Sequence, residues 1–108
     1  MTDWRDSLDS FRAFFDRLPT GFADHLSGRL AMGEQEYGRT GIDQAPGRLV
    51  AEGKEECIDL FAYCFFIAQK PAITSEIRGD LISTCCDAME AYEGLCMVLC
   101  KLEAAGLA

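Results

Sequence analysis

Positive charge is scarce in this chain and nowhere concentrated. Ten Lys and Arg face eighteen Asp and Glu, the formal net charge is -8, and no Lys/Arg block occurs. A groove that tracks the phosphates of long nucleic acid needs such a block, so that partner is not expected. A small phosphorylated ligand held through a metal remains compatible with the acidity. No uninterrupted apolar run approaches membrane-spanning length, and the opening stretch MTDWRDSLDSF lacks the basic-then-apolar layout of a signal peptide. The expectation is a cytoplasmic protein with no membrane partner. There is one histidine, His25, and no C-x-x-C, which argues against the common zinc sites. Neither GxxxxGK[ST] nor GxGxxG is present, so neither a P-loop nor a Rossmann fold is indicated. Strand-like alternation, hairpin dipeptides and internal repeats are also missing.

What is present is helical periodicity. The 108 residues, 49% hydrophobic, fit one all-α domain over 1–108, small enough that oligomerisation would help it bury surface. Residues 3–17 read as an amphipathic helix with Leu8, Phe11, Phe14 and Phe15 on one side, closed by Pro19. A second helix starts at Thr20 or Gly21 and stops near Tyr37 and Gly38. The glycine-rich GRTGIDQAPGR is a loop, with Arg39 and Arg48 as phosphate partners or as plain solvated residues. A third helix covers 48–69, and Thr74 or Ser75 caps a last one after the break at Lys70 and Pro71. In that last helix Ile77, Leu81, Cys85, Ala88, Tyr92, Leu95, Leu99 and Leu102 form a sustained stripe. A second row of Ile82, Cys86, Met89, Cys96 and Cys100 is more than one neighbouring helix would cover, which suggests a partner subunit. Gly79 and Gly94 suggest a bend or a close helix contact. The resulting fold is a four-helix, bundle-like arrangement.

The six cysteines lie inside expected helices among Leu, Ile, Met and Phe, where reduced thiols behave as small hydrophobes. A bundle that uses them for a soft metal or for redox sensing is a minor alternative.

The chemistry concentrates in RLVAEGKEECIDLFAYCFFIAQ. Spacings of four, three and four put Glu52, Glu56, Asp59 and Tyr63 on one helical stripe. Leu49, Val50, Ile58, Leu60, Phe61, Phe65, Phe66 and Ile67 surround it, a mixture that points to carboxylates in an interior or cleft rather than on a solvated face. Like charges so placed repel unless a cation neutralises them. Oxygen ligands without His or Cys favour a hard ion, Mg²⁺ or Mn²⁺. The alternative is that Glu52, Glu55 and Glu56 merely solvate the first turns of a buried helix.

RLAMGEQEYG at a helix end, a glycine-rich loop with arginine, and then EGKEECIDLFAY together resemble the MazG-like all-α nucleoside triphosphate pyrophosphohydrolases, most of all their short phage-type members. The resemblance covers about residues 25 to 67, within a core of about 20–105. It implies Mg²⁺ (or Mn²⁺) bound by Glu52, Glu56, Asp59 and one of Glu34 or Glu36, clamping the triphosphate and acidifying a water that attacks the α-phosphorus. The products would be a nucleoside monophosphate and pyrophosphate. Arg39, Arg48 or Lys54 would neutralise the leaving group, or Lys54 is simply solvated, and Tyr63 would stack on a base. A homodimer or homotetramer is implied. The family's acids follow E-x-x-E, a spacer, then E-x-x-D. Glu56 and Asp59 meet the second half, but neither Glu34 nor Glu36 completes the first, and two positions apart they cannot share a face. The competing function is a helical interaction module without catalysis.

Overall fold

A computed structural model describes residues 16–37 and 44–108, without the side chains of 33–37. The described residues form three helices and no strand: α1 (Thr20–Tyr37), α2 (Pro46–Ala68) and α3 (Ser75–Ala104). They fall into two units, one within Met1–Asp43 and one spanning Gln44–Ala108. The chain is therefore all-helical where it is described, and among the described residues no helix is long and apolar enough to cross a membrane. The helix expected over 3–17 lies almost wholly outside the described residues, and its last positions, Asp16 and Arg17, form a turn.

In the first unit, the Pro19 carbonyl accepts from the Ala23 amide at 2.9 Å, so α1 starts at the proline. Phe22, His25, Leu26 and Arg29 line a shallow hollow on this helix.

The second unit is an antiparallel helical hairpin. α2 begins at Pro46, two residues earlier than the loop reading allowed. Proline's fixed φ suits the first helical position, where its missing N–H costs nothing. A proline–glycine pair that looks like loop is thus the opening turn, and Arg48 is helical. α2 ends at Ala68, and the turn through Lys70 and Pro71 leads to Thr74, whose hydroxyl accepts from the Ile77 amide at 3.2 Å as the cap of α3. At the far end α3 closes in a Schellman turn. Gly106 has φ 74, and the Leu107 amide donates to the Leu102 carbonyl at 2.8 Å.

The stripe expected on α3 does face α2. Ala88 is 2% exposed, and Leu81, Cys85, Tyr92, Leu95, Leu99 and Leu102 are half-buried, while Ile77 is exposed. From α2, Val50, Gly53, Lys54, Cys57, Cys64 and Ala68 answer it, again at helical spacing. The close approach occurs at Gly53. A Cβ there would stand 3.1 Å from Leu95 Cδ1, whereas Gly79 and Gly94 have open space around them and α3 runs unbroken past both. The close contact expected at those two glycines is absent, and the glycine that permits tight packing is on the other helix.

Only Val50, Cys64 and Ala88 are fully buried among the described hydrophobic residues. One side of the seam is an open apolar face. Phe61, Phe65, Ile82 and Cys86 border a hollow of about 530 Å³, and Ile58, Phe61 and Met89 border a neighbouring one of about 250 Å³. The second row on α3 thus stays largely exposed, with Ile82 at 61% and Met89 at 50%.

Candidate functional site

The acid stripe exists as spaced. Glu52, Glu56, Asp59 and Tyr63 are all exposed, on the side of α2 turned away from α3, with Tyr63 at 68%. Within the hairpin they occupy a surface, not a cleft. Leu60 and Ile67 flank them and are themselves exposed, so the mixture of acid and apolar side chains seen in the sequence is a mixture on open surface.

The four positions are not equivalent. The Arg48 guanidinium Nε lies 3.4 Å from Glu52 Oε1, one turn away. With both side chains largely in water the pair is worth at most about 1 kcal/mol, and a stronger cation could displace it. Glu56 and Asp59 have no hydrogen-bond or ion-pair partner among the described residues. Two carboxylates one turn apart repel each other without local compensation.

Glu34 and Glu36 lie in the last turn of α1, and their side chains fall outside the described residues, as does Arg39 altogether. Among the described residues no three His, Cys, Asp or Glu side chains are grouped as the ligands of one metal ion.

Lys54 stands apart from the stripe. It is half-buried at the seam, with Nζ 4.9 Å from the centre of the Tyr92 ring. Its ammonium is held above the ordinary lysine value, first by the Cys96 thiol and then by the Tyr92 phenol, each of which favours the positive charge once ionised. The sequence offered phosphate neutralisation or plain solvation for this residue. In the structure it also engages α3 through Tyr92.

The sequence reading did not pair Cys64 with Cys85. Cys85 Sγ lies 3.7 Å from the carbonyl of Phe61, one turn before Cys64, and both cysteines border the larger hollow with Cys86. The Cys85 thiol is raised above its ordinary value, chiefly by desolvation and next by the Cys64 thiol beside it. None of the six cysteines is joined in a disulfide in this structure. Counting outward from the turn at 69–74 pairs 64 with 79, so only the register seen at Phe61 and Cys85 brings the two cysteines to one hollow. No family model matches this chain, and neither a curated protein nor a solved structure matches it.

Proposed function

We propose that the protein is a Mg²⁺-dependent nucleoside triphosphate pyrophosphohydrolase of the MazG-like kind. The proposal rests on the motif order in the sequence and on one structural observation: Glu56 and Asp59 present exposed, unpartnered carboxylates one turn apart on the face of α2 that α3 leaves open. Hard oxygen donors without compensation suit a divalent cation. When bound, Mg²⁺ neutralises phosphate charge and makes water a better nucleophile toward the α-phosphorus. Glu56 and Asp59 would hold the ion, and Glu52 would join them on release from Arg48. Arg48, so released, would face the phosphates, and a carboxylate not engaged in binding the ion would accept a proton from water. Tyr63, exposed on the same stripe, offers a ring for stacking. Arg39 or Lys54 would be the alternative partners of the leaving pyrophosphate.

The open apolar face of the hairpin supports the quaternary part of the proposal. Two hairpins laid together through Phe65, Ile82 and Met89 would make a four-helix bundle, giving a homodimer or, through a further face, a homotetramer. The same face favours a second reading, a helical interaction module that binds without catalysis.

A panel of nucleoside and deoxynucleoside triphosphates with Mg²⁺ separates the two. Pyrophosphate release that vanishes in Asp59→Asn supports the enzyme. Absence of release from every nucleotide, with no Mg²⁺-dependent rise in Tm, leaves the interaction module.

A further inference from the structure

We propose that Cys64 and Cys85 are an interhelical redox pair that closes reversibly to a disulfide, stapling α2 to α3 across the floor of the larger hollow. Three features of the hairpin lead there. Cys64 and Cys85 border the same hollow from the two helices, and the Cys85 thiol reaches the carbonyl of Phe61, one turn before Cys64. Small residues flank the pair along the seam, with Ala68 one turn beyond Cys64 and Ala88, 2% exposed, one turn beyond Cys85. The two thiols differ in access. Cys64 is 6% exposed, while Cys85 is half-buried at the edge of an open hollow of about 530 Å³ that admits a small oxidant.

The oxidant class is a low-molecular-weight disulfide such as oxidised glutathione. The Cys85 thiolate attacks one sulfur of that disulfide, breaking its S–S bond, forming a mixed disulfide and releasing one thiolate. The Cys64 thiolate then attacks Cys85 Sγ, forming the interhelical bond and releasing the second thiolate. In sum, two protein thiols lose two electrons and two protons, and the small disulfide becomes two thiols. Excess dithiol reverses both steps. Closure would fix the hollow's floor between Phe61 and Leu81, and so couple the shape of the open face to thiol redox state.

The test uses the full chain carrying Cys57→Ser, Cys86→Ser, Cys96→Ser and Cys100→Ser, which keeps only the proposed pair. Incubation with oxidised glutathione at pH 8, acid quench and mass measurement should show a monomer about 2 Da lighter than the reduced chain, without retained glutathione. Its Tm should rise by several degrees and fall back on reduction. A chain that keeps both thiols, retains glutathione on one cysteine, or links only between molecules overturns the proposal. The wild-type protein guards against misfolding of the variant. Peptide mapping after the same treatment should find the link between 64 and 85, and a link confined to any other pair overturns it equally.

Discussion

Arg78, in the first turn of α3, donates from Nε to the carbonyl of Ala68, the last residue of α2, at 3.0 Å. The guanidinium thus satisfies one of the carbonyls left open where α2 ends, and places positive charge at the negative end of its dipole. Arg78→Met keeps the aliphatic stem and removes the donor. It should cost about 1 kcal/mol, read as a lower urea midpoint with unchanged slope.

Thr74 and Gly106 bound α3 by different means, and each can be tested alone. Thr74→Ala removes the oxygen that caps the Ile77 amide and should cost about 1 kcal/mol. Gly106→Ala forces a side chain into the left-handed region and should cost a similar amount, about 1 kcal/mol. Loss of helical signal on mild heating should start earlier in both.

Three glycines inside helices should diverge. Gly79→Ala and Gly94→Ala meet open space and should each stabilise by about 0.5–1 kcal/mol through helix propensity. Gly53→Ala gains the same propensity but must displace the Leu95 methyl group at 3.1 Å, so its net gain should be smaller. Gly53→Val, which cannot be accommodated by that small shift, should destabilise. Chemical denaturation of the four variants orders them.

Cap, turn and stripe were readable because each is a local pattern. A hydroxyl ahead of a helical run, the Lys70–Pro71 break and the heptad-like row from Leu81 to Leu102 all describe neighbours within one or two turns. Pro46 misled because proline beside glycine signals loop and helix start alike. The surroundings of the acid stripe were not readable for a deeper reason. Leu60, Phe66 and Ile67 look like core in sequence, yet a single hairpin leaves them exposed, and hydrophobicity does not say which surface covers a residue. The contact of Lys54 with Tyr92 was unreadable for the same cause, because only the register of two helices brings them near.

Alkaline pH should weaken the hairpin through named groups. Folding raises the values of both Cys85 and Lys54. A group so raised contributes its stability in full below its unfolded value and loses it as pH climbs through the folded one. The loss should therefore begin as pH passes the ordinary thiol value and continue through the lysine range. Cys85→Ala should flatten the first part of that decline and Lys54→Met the second, in Tm measured against pH under reducing conditions.

Substitutions on the acid stripe should separate chemistry from stability. Glu56→Gln and Asp59→Asn change exposed side chains without partners among the described residues, so each should alter stability by less than about 0.5 kcal/mol, or raise it slightly by relieving repulsion. Both should abolish pyrophosphate release and the Mg²⁺-dependent gain in Tm. A variant that unfolds would show instead that the carboxylate serves the fold.

The bond between Arg78 and Ala68 spans ten positions along the chain, against twenty-four for that between Cys85 and Phe61. Little chain entropy is spent in forming it, so assembly of the hairpin should begin at that turn and zip outward, reaching Gly53 and Leu95 last. Refolding rates should then respond strongly to changes near positions 68 and 78, whereas changes near 53 and 95 should show almost entirely in the rate of unfolding.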